Sequence, residues 1–461
     1  MNYSEHFTEK IDVVIIGAGL TGLSTAVQLK KRGLSVVIIE KSDRVGGQIR
    51  TIHEQGFVIE SGPNTGSGAS EEVLGLFDDL SPYCQIEFAR EESKKRLIWK
   101  NDKFNALPSG LVGGIITPLF TLKDKIRILG EPWRKKGVDP DETVGAMAGR
   151  RLGQSIVDYA VDPFLSGIYA GDAYSLIARH ALPKLYNLEQ NYGSFIRGGI
   201  AKSREAHKKD GKNAKKGIFS TKGGMEKLPQ AMEKYIGQEN IILSSENLLI
   251  QPQEDNWKVV CEKNGVKLSF SSRHVISTVG AYALPKLLPF ISQLEMAKIT
   301  NVRYAPIVQI AVGVKDRLNL DFNAFGGLVS SKDKEDFLGI LFPSSCFERR
   351  APQNGALFSF FMGGMKRKDL TALSDQEIEE KVVQSFHRML GFPIDKKPDL
   401  IRIFRYKHAI PQYEKTSEER FDSIKSVENK YPGLHIAGNL RDGIGMAHRI
   451  IQASILEKEI V

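Results

Sequence analysis

Gly17, Gly19 and Gly22 are spaced G-x-G-x-x-G, and one acid, Glu40, follows 18 residues after the last of them. Glycine in this pattern lets backbone approach something bulky and anionic. The first permits a tight turn, the second admits a pyrophosphate, and the third lets a helix pack on a strand. Leu20 and Thr21 lie between them, at the start of a helix whose unpaired amides and positive dipole end face the phosphate. Glu40 can accept both hydroxyls of a ribose and would repel a 2′-phosphate. The stretch reads as a dinucleotide site that disfavours NADP.

The elements that hold these residues are written in the same stretch. Ile11 to Ile16 is an apolar, β-branched run suited to a strand buried on both faces of a parallel sheet. Leu20 to Lys31 reads as a helix stopped by Gly33, and Ser35 to Ile39 as a second strand. With 43 glycines in 461 residues, a bare glycine motif arises by chance. One framed by strand, helix and terminal acid is specific.

After Glu40, the run EKSDRVGGQIRT resembles the second signature of the amine-oxidase-like FAD superfamily. The resemblance implies that Lys41, Arg44, Gly46, Gly47 and Gln48 lie along the flavin's phosphates and ribityl chain, with Gln48 standing where relatives often carry a basic residue. It implies that GFVIESGPNTGSG passes the isoalloxazine ring through Gly62, Pro63, Asn64 and Thr65. The C-terminal LHIAGNLRDGIGMAHRIIQASILEKEI reads as a strand (Leu434 to Ala437), a turn, and a helix from about Gly445 to Glu459. Superfamily members close their FAD site with such a segment, which implies that Gly438, Asn439, Ile444, Gly445, Met446 and Ala447 contact the cofactor. The helix start would stabilise the anion formed when the ring accepts hydride. In relatives a backbone amide near Leu248 meets the adenine. No cysteine follows Cys346, so the C-terminal segment offers no thiol for a covalent flavin link, and non-covalent FAD is expected.

Bulk composition narrows the partners. A chain of 461 residues, 41% hydrophobic, suits a folded protein of two or three domains. A formal charge of +9 suits an anionic partner, whether carboxylated substrate, acidic membrane or nucleic acid. Nucleic acid finds no support, because zinc spacing, an RNP-like strand and a helix-turn-helix are all missing. Cys84, Cys261 and Cys346 are too few and too far apart for a disulfide framework, which points to a reducing, cytoplasmic compartment. The nine histidines form no HExxH or other close ligand pair, so no metal is expected. MNYSEHFTEK leads only to a six-residue apolar strand, too short for a signal-peptide core. No segment reaches the roughly 18 to 20 apolar residues that span a bilayer. LVGGIITPLF (Leu111 to Phe120) fits a buried hairpin or an interfacial contact, with burial preferred. EAHKKDGKNAKKG (Glu205 to Gly217) reads as a solvated loop in preference to a headgroup or substrate contact.

The fold class expected is α/β: a discontinuous Rossmann-like FAD-binding domain, a mixed-sheet substrate domain and an inserted helical subdomain. The first is assigned to residues 10–88, 219–290 and 430–461, including a glycine turn and helix within Phe219 to Ile236, a hairpin through Asn264-Gly265 and an apolar strand, His274 to Val279. The second takes 89–110, 200–218 and 291–429, where VRYAPIVQIAVGVK, FLGILF and GALFSFFM read as strands and DQEIEEKVVQSFHRMLG as a helix. The third, 111–199, has apolar residues at three- and four-residue spacing and is the part that would touch a membrane.

Tyr159 to Gly199, above all PFLSGIYAGD, closely resembles the signature of flavin-dependent protoporphyrinogen and coproporphyrinogen oxidases. KRLIWKNDKFNALPSGL, FSTKGGMEKLP and YKHAIPQYEK match the same family, so the resemblance runs over nearly the full length. It implies six-electron oxidation of a porphyrinogen in heme biosynthesis, with flavin N5 taking the hydride, no catalytic side chain, and molecular oxygen as acceptor giving hydrogen peroxide. It implies that Arg96 pairs with a substrate propionate, for which a guanidinium fork is well shaped. It implies a flat apolar pocket for which Ile168 and Tyr169, with Phe360, Phe361 and Met362, are the candidate lining, and which Gly167 and Gly171 let backbone approach. Two departures leave the choice of porphyrinogen open: Tyr406 stands where many relatives have Trp, and GIGMAHRII replaces G-V-G-x-x-x-C-I. An amine oxidase or carotenoid desaturase, and a non-catalytic relative without FAD, are the rival readings. The YAGD signature opposes the first two, and Gly17, Gly19, Gly22 and Glu40 oppose the last. Peripheral contact with an anionic membrane or a downstream heme-pathway enzyme is the remaining expectation.

Overall fold

The computed structural model describes residues 8–108, 117–208 and 217–460. Residues 111–116 of the apolar LVGGIITPLF segment and 209–216 of the lysine-rich stretch lie outside the described residues.

The N-terminal apolar runs become strands β1 (Thr8–Ile16) and β2 (Val36–Ile39), with helix α1 (Leu20–Lys31) between them. β1 pairs in parallel with β2 on one side and Val266–Ser277 on the other. Ile241–Ile242 extends the sheet past β2, and Leu434–Ile436 pairs with Val275, Ile276 and Ser277. Val13 and Ile15 enter one apolar core with α1, the helix Lys227–Ile236 and the C-terminal helix Met446–Ile460. Val14 and Ile16 enter a second core on the opposite face. With both faces covered, a strand here has no polar side. Glu246–Pro252 and Trp257–Lys263 add an antiparallel meander, turned into Val266–Ser277 by Asn264 and Gly265 at positive φ.

The second sheet runs Leu400–Pro411, Tyr304–Val314, Ala356–Gly363, Phe337–Leu341, Gly326–Val329, Arg96–Trp99, Phe104–Ala106. Among the described residues, only the pair Gly326–Val329 and Arg96–Trp99 is parallel. Side-chain alternation divides its work. Val308, Ile310, Val312, Phe358, Phe360 and Met362 pack with Ile378, Val382 and Phe386 of helix Asp375–Leu390. Ile307, Gln309, Ala311, Ser359 and Phe361 occupy the other face, toward the first domain and the helical region. Leu400–Pro411 is a strand whose pattern is hard to read in advance. It is the sheet edge, where exposed Arg402, Arg405 and Lys407 interrupt the apolar alternation as edge strands allow.

Helices Val144–Arg151, Asp162–Tyr169, Pro183–Tyr192 and Phe195–Lys208 gather on their own core, which includes Val144, Met147, Leu165, Leu176 and Phe195. A buried ion pair anchors it. Arg151 Nε donates to Glu131 Oε1 at 2.7 Å, and the same carboxylate accepts from Ser194 Oγ at 2.5 Å and Phe195 N at 3.0 Å. Phe195–Lys208 crosses the expected boundary at 199/200, and Ile218–Thr221 pairs with Gly66–Ser67 and Ile86–Phe88. The described part of 200–218 therefore gives the second sheet no strand. Cys84, Cys261 and Cys346 are buried free thiols.

Candidate cofactor and substrate site

Gly17 sits at φ +102, and its N–H donates to Ile39 O at 2.8 Å. A Cβ on Gly22 would lie 2.0 Å from Gly17 O, so only glycine lets α1 pack this close to β1. A Cβ on Gly19 would meet nothing within 4 Å. That open space lies at the N-terminus of α1, which has no acid in its first turn and no side-chain cap. Leu20 and Thr21 are buried behind it. The first-turn amides and the positive end of the helix dipole suit an anion there. Glu40 is buried beside the turn, its Oε2 accepting from Ala18 N at 2.7 Å and its Oε1 from Ser42 N at 2.9 Å. These bonds fix the carboxylate and leave lone pairs for ribose hydroxyls.

Other segments close on the turn. Gly46 N donates to Ala18 O at 2.8 Å. Arg44 folds back on its own loop, donating to the carbonyls of Val45, Gly47 and Ile49, so it braces the loop instead of reaching outward. Lys41 is exposed. A Cβ on Gly62 would lie 2.1 Å from Gln48 O, which seats the second glycine loop on Gln48. Gln48 Nε2 in turn reaches His408 O at 3.3 Å. From the second sheet, Gln309 donates to Glu60 O at 2.6 Å and accepts from Gly62 N at 2.9 Å. Ser359 Oγ donates to Asn64 Oδ1 at 3.0 Å, and Pro63 and Thr65 are half-buried alongside. Gln309 and Ser359 are absent from the sequence reading. Their signal was available, since each is a lone polar residue inside an apolar strand run.

The C-terminal segment completes the ring of backbone. Gly438 has φ +97, donates to Gln452 Oε1 at 2.9 Å, and would place a Cβ 3.0 Å from Thr278 O. Thr278 Oγ1 donates to Ile16 O at 2.9 Å, a further support that sequence reasoning missed. Asn439 O accepts from Tyr413 Oη at 3.3 Å. Ile444 and Gly445 are half-buried, and Met446 and Ala447 start the last helix against the first core. Far along the sheet, Leu248 falls in a bulge between Glu246 and Leu249, so its main chain is outside the regular ladder.

Residues 20–452 match the family described as flavin containing amine oxidoreductase. The chain belongs to that family. It is similar to protoporphyrinogen oxidase 2, chloroplastic/mitochondrial, of Arabidopsis thaliana, with 31% identity over 95% of this chain and 91% of the relative. It is also similar to coproporphyrinogen III oxidase of Bacillus subtilis, with 26% identity over 96% of each chain. Among solved structures, reduced UDP-galactopyranose mutase aligns with a TM-score of 0.73 at 16% identity, over 98% of this chain and 95% of that one. As a flavin-containing amine oxidoreductase the chain is an FAD-dependent enzyme. The residues present fit that cofactor: open space at Gly19, unpaired amides at the start of α1 and a bulged strand at Leu248.

In this amine oxidoreductase, Arg96 opens the strand Arg96–Trp99 and is exposed, its guanidinium 5.9 Å above the Phe325 ring. Among the described residues no carboxylate lies within ion-pair distance of it. Register carries its row across the sheet through Gly326 and Leu341 to Ser359, three strand spacings or about 14 Å away on the same face. Ile168 is 44% exposed on helix Asp162–Tyr169. Tyr169 behaves otherwise than expected. It is buried in the helical core, its hydroxyl donating to Ala181 O at 3.0 Å, so its ring serves packing. Phe360 and Met362 likewise point into the core beneath the sheet, and Phe361 alone of the three joins the site face. Gly167 and Gly171 also differ: a Cβ would meet Leu328 at 2.6 Å and Gln412 at 2.5 Å. Both glycines let the helix and its turn approach protein.

Proposed function

We propose that the chain oxidises a porphyrinogen, protoporphyrinogen IX or coproporphyrinogen III, to the corresponding porphyrin in heme biosynthesis. One observation carries this reading. Arg96 shares a sheet face with an apolar floor in which half-buried Leu338, Phe361, Met365 and Ile410 surround buried Ile307, and which borders Gln309 and the Gly62 loop. A flat apolar macrocycle with carboxylate arms complements such a surface. The two relatives named above act, by their names, on protoporphyrinogen and coproporphyrinogen.

When bound, FAD supplies a two-electron acceptor for each of three oxidations. The chain's residues position the partners. Gln309 holds the start of the Gly62 loop through Glu60 O and Gly62 N, the floor excludes water, and the start of the last helix presents amides where negative charge develops. The floor residues themselves are apolar, which suits a substrate whose pyrrole nitrogens stabilise the cation left by hydride loss. Molecular oxygen is the acceptor in this reading, three molecules giving three of hydrogen peroxide for six electrons and six hydrogens. Residues 10–88, 219–290 and 430–461 are assigned to FAD, and 89–110 with 291–429 to substrate.

The helical part is assigned to peripheral contact with an anionic membrane on the cytoplasmic side. Leu122, Ile126 and Leu129 lie exposed along one face of helix Leu122–Leu129, followed by Trp133 at 79% exposure. Lys123, Lys125, Arg127, Arg134, Lys135 and Lys136 outnumber Asp124 and Glu131 there. Among the described residues no helix is long and apolar enough to cross a membrane. Side-by-side steady-state rates with both porphyrinogens test the activity and choose the substrate; no turnover of either defeats the reading. Co-sedimentation with phosphatidylserine vesicles tests the contact, and retention in the supernatant counts against it.

A further inference from the structure

Two arginines, Arg420 and Arg449, are buried without a contacting carboxylate among the described residues, and both grip the same loop. Arg420 is fully buried; its Nε donates to Leu440 O at 2.9 Å, its Nη2 to Ser417 Oγ at 3.2 Å, and its Nη1 has no partner among the described residues. The guanidinium lies 5.0 Å over the Phe421 ring and 5.6 Å over Tyr413. Arg449, on the first turn of the C-terminal helix, donates to Gly438 O, to Arg441 O at 2.8 Å and to Gly443 O at 2.5 Å. Its Nε is also unpartnered among the described residues. The nearest acid, Asp442, already accepts from Gln452 Nε2 at 2.6 Å and faces Arg441 Nε at 3.5 Å. Arg441 is in turn paired with Glu428, and Glu414, the acid near Arg420, with Arg303. The carbonyls of 438, 440, 441 and 443 thus accept from two cations, one on the helix Ser417–Lys430 and one on the last helix.

We propose that Arg449, reinforced by Arg420, is a positioning residue that biases the bound flavin toward its reduced, anionic form. The inference rests on the reading that the flavin ring lies against residues 443–447. A guanidinium in a water-poor interior acts over several ångströms with little screening, and it favours negative charge arriving on the ring. It adds to the helix dipole, which has the same sign at this terminus. Burial lowers the Arg449 guanidinium to about 10, so it remains a cation at neutral pH.

The test is an anaerobic spectroelectrochemical titration of the holoprotein, with FAD content and melting temperature recorded for each variant. Arg449→Met is expected to shift the two-electron reduction equilibrium at least tenfold against reduction, about 30 mV lower in potential. Arg449→Lys, which loses hydrogen bonds but keeps the charge, is expected to stay within threefold of wild type. Equal shifts in Met and Lys variants, or none in either, overturn the proposal. If neither variant folds, the wild-type protein decides it: below pH 6 its flavin is expected to take up one proton per electron pair, and uptake of two overturns the inference. A wild-type protein without flavin would instead overturn the cofactor reading beneath it.

Discussion

Gly19 and Gly47 touch backbone to backbone: a Cβ on Gly47 would lie 3.2 Å from the Cα of Gly19. Two loops 28 residues apart in the chain thereby form one continuous amide-lined rim, with Gly46 N bonded to Ala18 O.

This geometry separates cofactor binding from folding. Gly19 has ordinary φ, −76°, and open space before it, so Gly19→Val is expected to fold with nearly wild-type melting yet bind no FAD. Gly22→Val, which forces a Cβ to 2.0 Å from Gly17 O, is expected to lose the fold itself. The 450 nm absorbance and the melting temperature of each purified variant distinguish the two. Retained flavin in Gly19→Val would falsify the phosphate-loop assignment.

Arg96 is exposed and unpaired among the described residues, so removing it leaves no buried charge behind. Arg96→Ala is expected to raise porphyrinogen KM by roughly tenfold or more, as for a lost charge-assisted bond of about 1.5–3 kcal/mol, with FAD content unchanged. Arg96→Lys should recover part of it. A matching loss of FAD would make Arg96 structural.

Glu60 makes stability pH-dependent in a particular direction. Burial pushes its carboxyl up from 4.5 to about 7, although Met225 N and Thr51 Oγ1 donate to it. Between those values the native state holds a proton that the unfolded chain releases, so stability falls as pH rises through that window. Glu60→Gln has no such loss. It is expected to gain on wild type from pH 5 to pH 8, by roughly 2–3 kcal/mol at the upper end, in denaturant midpoints across pH. A parallel pH dependence of the two proteins would rule this out.

Glu131→Ala strands the buried Arg151 guanidinium and removes acceptors from Ser194 and Phe195. A loss of about 3–5 kcal/mol is expected in chemical unfolding. A change below about 1 kcal/mol would mean that the helical core does not depend on the pair.

The nucleotide half of the fold was readable because every local rule agrees there. Val13 to Ile16 alternate between two cores, Gly22 abuts Gly17 O, and Glu40 follows directly on β2. The substrate half was readable in its apolar strands and in the helix Asp375–Leu390. Leu400–Pro411 hid behind its edge-strand charges, and Phe360 could not be told from Phe361 until register assigned each to a face. Tyr169 illustrates a limit of motif reading, because a residue inside a signature can serve packing alone. Gln309 and Thr278 brace glycine turns from segments more than 240 residues away in the chain, a relation that no local pattern encodes.

The central claim is that bound FAD takes electron pairs from a porphyrinogen laid on the Phe361 face. Anaerobic titration of the purified protein with protoporphyrinogen IX and coproporphyrinogen III tests it most directly. The protein is expected to be yellow and to bleach as porphyrin absorbance appears, three flavins reduced per porphyrin formed. A colourless protein, or a yellow one that neither porphyrinogen bleaches, would contradict the claim.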